Sequence, residues 1–120
     1  VAYLQQCEPA SISLLTKVEV HSALARYVRT ARVDAQAAAR VLATFEGVGA
    51  GHLELLPLSV EAYLTAESLL GAHPDVGLTT LHALHLGAAI AGRVEGMATA
   101  DRLMAQASER AGLPCRLFAA

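Results

Sequence analysis

The chain lacks the features of a membrane protein, of a disulfide-stabilised secreted domain and of a generally basic nucleic-acid binder. Although 54% of its residues are hydrophobic, no window approaches the roughly 18 uninterrupted apolar residues that a membrane span needs. Its two cysteines, Cys7 and Cys115, are isolated near opposite ends, which favours a reducing cytoplasm over a disulfide framework. Lysine occurs once, at Lys17, and the formal charge is −2, so any contact with RNA would depend on a local patch.

What the chain does contain is enough apolar material for one core. A sequence of 120 residues with only 17% charged residues predicts a folded domain rather than disorder, and we expect a single domain over residues 1–120. No secretory signal opens the chain, and its first residue is Val1 rather than methionine. We therefore expect the native chain to be longer at its N-terminus.

Short strand-like segments alternate with stretches of helical periodicity along the whole chain. This alternation predicts an α/β fold, with a parallel sheet that carries helices on its faces and right-handed crossovers between strands. The predicted strands are ASISLLT, LELLPLS, VEGMATA and LPCRLF, and the predicted helices cover about residues 17–30, 34–47, 60–70, 78–91 and 101–112.

Polar residues mark the starts of several of these helices. Thr16, Asp34 and Ser59 are predicted at N-cap positions. Glu19 is predicted in the first turn of its helix and Asp101 at the start of the last one. In parallel α/β sheets the ligand site lies where strands lead into helices, so we expect Glu19, Asp101 and His82, early in its own helix, to converge there.

Three segments carry a resemblance to a known family: SLLTKVEVHSAL, GLTTLHALHLGAAI and MATADRLMAQAS. They resemble three of the four signature segments of PIN-domain ribonucleases, and most of all the VapC-type toxins of bacterial toxin–antitoxin pairs. The segments have the family's order and spacing over nearly the whole chain. The resemblance implies a three-layer, Rossmann-like PIN fold, here without its usual first strand.

The resemblance assigns roles to individual residues. Glu19 matches the family glutamate of LT-x-x-E, and Asp101 matches the aspartate of T-A-D, with Thr99 as a supporting hydroxyl. His85 matches the histidine of A-L-H-L, whereas His82 stands where the family has a metal-site aspartate. The first signature, a strand that ends in an aspartate, is absent, and the missing strand would have to come from a longer chain or a partner.

The family chemistry is hydrolysis of RNA phosphodiester bonds assisted by Mg²⁺ or Mn²⁺, hard cations that prefer carboxylate ligands. The resemblance therefore implies a metal site at Glu19, Asp101 and His82, an RNA substrate, a cognate antitoxin and a homodimer. A histidine in place of an aspartate weakens Mg²⁺ binding and favours Mn²⁺ or Zn²⁺. We expect a weakened ribonuclease, with a non-catalytic PIN-like module that binds an antitoxin or RNA as the alternative.

Simpler explanations exist for the same residues. Glu19 and Asp101 suit helix starts whatever the function, and a third interpretation of the chain is a small α/β domain of unrelated function. His82 and His85, three residues apart on one helix, could chelate a transition metal, but packed and hydrogen-bonded histidines are commoner. Arg26 and Arg29, and Arg102 next to Asp101, could contact RNA phosphates or form a solvated face.

Overall fold

The computed structural model describes residues 10–118, except for the side chains of residues 48–53. These residues form an α/β fold, as the alternation predicts, and among them no helix is both long and apolar enough to cross a bilayer. The elements are β1 (Ala10–Ser13), α1 (Leu14–Arg29), α2 (Ala35–His52), β2 (Leu53–Leu56), α3 (Val60–Ala72), α4 (Thr80–Ala91), β3 (Met97–Thr99), α5 (Arg102–Arg110) and β4 (Cys115–Leu117).

The chain divides into two compact units, Val1–Leu55 and Leu56–Ala120. In the first, β1 pairs with β2, and α1 and α2 form a helical hairpin. The expectation of a single domain stays a prediction. Cys7 lies outside the described residues.

The start of α1 differs from the prediction. Ser13 occupies the N-cap position with an extended backbone (φ −75°, ψ 152°), and the helix begins at Leu14. The predictions of a strand through Thr16, of Thr16 as the cap and of Glu19 in the first turn are therefore wrong, since Thr16 lies inside the first turn and Glu19 in the second. The apolar run after Ser13 suits a strand and a helix equally, so periodicity did not separate them.

A left-handed residue ends α1. Ala31 has φ +58°, its N–H donates to the Val28 carbonyl at 3.1 Å, and the Arg32 N–H donates to the Tyr27 carbonyl at 2.9 Å. This is the Schellman arrangement, which satisfies the last carbonyls of a helix and turns the chain back on itself. The position usually holds glycine, because an L side chain in this region costs about 1 kcal/mol.

The second helix of the hairpin starts as predicted and ends later. The Asp34 carboxylate accepts a hydrogen bond from the Ala37 N–H at 2.6 Å, which confirms it as the cap. The helix does not stop at Gly47 but continues to His52, because a glycine weakens a helix by about 1 kcal/mol without breaking its hydrogen-bond ladder. His21 and Glu46 lie 3.7 Å apart across the hairpin, and both are more than half exposed, so this pair adds little stability.

In the second unit, β3 and β4 form a parallel pair with α5 as the crossover between them. Met97 lies opposite Cys115 and Thr99 opposite Leu117, and the Met97 N–H donates to the Pro114 carbonyl at 2.8 Å. The strands are shorter than the predicted segments because pairing involves only three residues of each. Burial raises the pKa of the Cys115 thiol, which therefore stays protonated at neutral pH.

Small residues let α3 and α4 approach closely. Ala62, Ala66 and Ala83 are buried at or near zero exposure, and a Cβ at Gly87 would overlap the Ala62 carbonyl oxygen. Ser59 caps α3 as predicted, because its hydroxyl accepts from the Ala62 N–H at 3.1 Å. The alanine-rich sequence thus produces a close-packed helix pair.

The core of the second unit forms around Leu86, which is fully buried. It packs in one cluster with Leu69, Val76, Ala89, Met104, Ala107 and Leu113. Ser108 is fully buried too, and its hydroxyl donates to the Leu113 carbonyl at 2.7 Å, which fixes the turn after α5. These contacts hold the start of α4 and the start of α5 in one structural unit.

Candidate functional site

The first turn of α4 is closed by a reciprocal pair of hydrogen bonds between Thr79 and His82. The Thr79 hydroxyl accepts from the His82 N–H at 3.1 Å, and His82 Nδ1 accepts from the Thr79 N–H at 3.3 Å. This is a capping box in which histidine takes the position that glutamate or glutamine usually holds. The box fixes the ring of His82 relative to the helix.

Asp101 forms the N-cap of α5. Its Oδ1 accepts hydrogen bonds from the Leu103 N–H at 2.8 Å and from the Met104 N–H at 3.1 Å. The Thr99 hydroxyl accepts from the Asp101 N–H at 3.1 Å, so Thr99 supports the loop between β3 and α5. This bond is a structural one, and the part of Thr99 in catalysis stays a prediction.

His82 and Asp101, nineteen residues apart in the sequence, meet directly: Nε2 of the ring lies 2.9 Å from Oδ2 of the carboxylate. Because Nδ1 accepts a backbone N–H, it carries no proton in this arrangement, so Nε2 is the protonated nitrogen and donates to the carboxylate. The histidine side chain is 20% exposed and the aspartate side chain 43%. The pair is therefore partly shielded and open to solvent on the aspartate side.

The surroundings of Asp101 favour its charged form. The Met104 N–H, the nearby His82 ring and the Leu103 N–H hold the pKa of Asp101 below its ordinary value, against partial burial, which raises it. Asp101 is thus an anion at neutral pH whose two oxygens are both hydrogen-bonded. One oxygen caps the helix and the other holds the histidine.

The remaining predicted residues belong to other parts of the sequence. Glu19 is half-buried in α1, in the first unit, and its role as a further ligand stays a prediction. His85 is half-buried on α4, one turn from His82, beside the fully buried Leu86. In the described part of the chain no group of three histidine, cysteine, aspartate or glutamate side chains could hold a metal ion.

His82 and Asp101, as they are arranged, do not fit Mg²⁺ or Mn²⁺. A hard cation needs free oxygen ligands in near-octahedral geometry, whereas here one carboxylate oxygen caps α5 and the other accepts the Nε2 proton. A ring nitrogen that carries a proton has no lone pair for a metal. Binding of a cation at this pair would first require the bond between the two side chains to break.

Thr79 is the residue of this cluster that the sequence motifs did not single out. The sequence does contain a pattern that indicates Thr79: a threonine three residues before a hydrogen-bonding side chain, at the start of a helix, is typical of a capping box. The direct bond between His82 and Asp101 had no local signal, because it joins two separate helices.

Comparisons of this chain with protein-family models, with curated proteins and with solved structures found no match.

Proposed function

We propose that this chain is a PIN-like domain of the VapC type, with the family's three-layer fold, and that it acts as a weakened metal-dependent endoribonuclease. The observation that carries the proposal is the 2.9 Å contact between His82 and Asp101. The resemblance assigns these two positions to one site, and nothing in their separation of nineteen residues requires them to meet. Their contact supports the assignment of both segments to the same family site.

The weakening follows from the chemistry of the pair. With histidine at position 82, the site has one anionic side chain fewer, and the remaining carboxylate of Asp101 is engaged by Nε2. Cation-assisted hydrolysis of RNA needs carboxylate oxygens that are free to bind the ion. Activity with Mg²⁺ is therefore low in this proposal, and Mn²⁺, which accepts nitrogen ligands more readily, is the better cofactor once the bond between His82 and Asp101 has broken.

The proposal includes the family's partners and compartment. The substrate is RNA, the inhibitor is a cognate antitoxin protein, the assembly is a homodimer, and the protein works in the bacterial cytoplasm. Glu19 is the proposed further acidic residue of the site, and Thr99 its supporting hydroxyl.

A second candidate function is a non-catalytic PIN-like module that binds an antitoxin or RNA. One observation favours it: His82 and Asp101 satisfy each other, and their remaining polar atoms bond to backbone N–H groups. A catalytic base or metal ligand needs an atom directed at the substrate or the ion. A pair whose atoms are all engaged suits a structural role better.

RNA cleavage by the full-length protein separates the two candidates. We expect slow cleavage with Mn²⁺, slower cleavage with Mg²⁺, and at least a tenfold increase in His82→Asp because the variant restores the carboxylate. Asp101→Asn should abolish cleavage in both backgrounds. Asp75→Asn, which removes an exposed carboxylate that pairs with Arg110, is the matched control and should cleave like the parent.

The result that refutes the ribonuclease is equally specific. Absence of cleavage by both the parent and His82→Asp, in protein that is folded by circular dichroism, would leave the non-catalytic module. Cleavage that Asp101→Asn does not reduce would place the chemistry at another site.

A further inference from the structure

The positive charge of this acidic protein is concentrated around one helical hairpin. Residues 17–40 contain five of the nine basic residues of the chain and only two of its eleven acidic ones, whereas the whole chain has a formal charge of −2. Of those two acids, Asp34 uses its carboxylate to cap α2. Residues 17–40, from α1 into the first turns of α2, therefore carry three more basic than acidic side chains.

Three of these cations lie at the tip of the hairpin, and two of them contact the same aromatic ring. The guanidinium carbons of Arg26 and Arg32 each lie 5.6 Å from the centre of the Tyr27 ring, which is within the range of cation–π attraction. Arg29 follows Arg26 by three residues on the same helix, and such residues are neighbours on the helix surface. We call Arg26, Tyr27, Arg29 and Arg32 the arginine tip.

The backbone builds this arrangement. Because Ala31 takes the left-handed conformation, the chain reverses directly after α1 and brings Arg32 back over the last turn. The Thr30 hydroxyl and N–H both bond to the Arg26 carbonyl, at 2.8 and 2.9 Å, and hold the same turn. The end of α1 is thus a fixed platform for three guanidinium groups.

In the described part of the chain, the guanidinium groups of the arginine tip have no carboxylate partner. Among residues 10–118, none of the three guanidinium groups forms an ion pair, although Arg110 in the second unit pairs with Asp75 through two hydrogen bonds. The carbonyl end of the α1 dipole accounts for cations in the last turn, at Arg26 and Arg29. It does not account for Arg32, which lies beyond the helix.

We propose that the arginine tip binds the phosphate backbone of single-stranded RNA. Guanidinium groups form paired hydrogen bonds with phosphate oxygens, and an aromatic ring among cations gives a surface on which an unpaired base stacks. This proposal rests on the proposed function only for the choice of RNA as the polyanion, and it requires no cleavage. It adds a substrate-binding surface formed by the first unit alone.

Binding is tested without catalysis, by fluorescence anisotropy of a labelled single-stranded RNA with the full-length protein in EDTA. The test variant is Arg26→Gln/Arg32→Gln. The control is Arg93→Gln/Arg110→Gln, which removes the same charge from the second unit. If each arginine neutralises one phosphate, losing two weakens binding about twenty-fold at 0.1 M salt and lowers the salt slope by about 1.4.

Two further variants test what the Tyr27 ring and the turn at Ala31 contribute to RNA binding, without a change in charge. Tyr27→Leu should weaken binding by several-fold without changing the salt slope, because it removes the stacking surface and keeps the arginines. Ala31→Gly should bind like the parent, since it preserves the turn. Circular dichroism of each variant shows whether α1 remains folded.

The outcomes are distinct from those of the cleavage assay. RNA binding in EDTA that falls in the tip variant but not in the control supports the proposal even if no cleavage is found. Equal loss in both variants, tighter binding of polyglutamate than of RNA, or no binding by the parent would overturn it.

Discussion

Replacing Asp101 by alanine removes two interactions at once, and the structure allows them to be separated. The variant loses the cap of α5, in which Oδ1 accepts from Leu103 and Met104, and it loses the bond from Oδ2 to His82. Loss of an N-cap costs about 1 kcal/mol. Loss of the partner of a partly buried N–H donor costs about another 1 kcal/mol. Asp101→Ala should therefore lower the free energy of unfolding by about 2 kcal/mol.

The variant Asp101→Asn separates the contribution of the helix cap from that of the bond to His82. Asparagine is as good an N-cap as aspartate, so the two bonds to the backbone of α5 remain. Its amide NH₂ group then faces the Nε2–H of His82, and two donors cannot bond to each other. We expect a loss of about 1 kcal/mol, roughly half that of the alanine variant, since only the bond to His82 is lost.

Urea denaturation followed by circular dichroism measures both losses, and a double-mutant cycle with His82→Ala isolates the pair. The coupling energy between positions 82 and 101 should be about 0.5–1 kcal/mol in favour of the parent, because the aspartate is substantially exposed. If Asp101→Ala and Asp101→Asn were equally destabilising, the cap would contribute nothing. If the coupling energy were zero, the 2.9 Å contact would not stabilise the fold, and the loss predicted for Asp101→Asn would be refuted.

The remaining predictions concern packing, backbone conformation and pH. Gly87→Ala should lower the free energy of unfolding by about 2 kcal/mol or more, because its Cβ would overlap the Ala62 carbonyl. Gly71→Ala, which has open space around it in α3, should be neutral or stabilising. The midpoints of urea denaturation compare the two variants. Ala31→Gly should raise stability by about 0.5 kcal/mol, since relief of the left-handed strain exceeds the added chain entropy, and an unchanged or lower melting temperature would contradict this. The pKa of Asp101 is lower in the folded state than its ordinary value of 3.8. Its contribution to stability is therefore present above pH 3.8 and is lost as the pH falls through the folded-state pKa. Asp101→Asn should flatten that part of the curve of stability against pH.

The sequence by itself located the helices and much of what caps them. Asp34, Ser59 and Asp101 were predicted at helix starts, and all three carboxylate or hydroxyl groups accept the expected backbone N–H bonds. Such features are local, because a cap and its helix lie within four residues. The apolar run after Ser13 suits a strand and a helix equally, and only the structure shows that the strand ends at Ser13 and the helix begins at Leu14.

The sequence predicts the residues of the candidate site but not the hydrogen bonds between them. His82 and Asp101 could be named from the motifs that resemble PIN-type ribonucleases, but a motif gives residue types and not the bonds between them. That Nδ1 of the ring belongs to the capping box, and that Nε2 therefore faces the carboxylate, follows only from the positions of the two helices. His82 and Asp101, which the motifs predict as metal ligands, are therefore hydrogen-bonded to each other.

The tertiary structure decided everything that joins distant parts of the chain. The contact between His82 and Asp101, the overlap that excludes a side chain at Gly87, and the return of Arg32 over Tyr27 each depend on how a turn or a helix pair packs. Local preferences are set by interactions within one turn of helix, and the sequence records them directly. Contacts between helices depend instead on the summed packing of many small side chains, of which no single residue carries the signal.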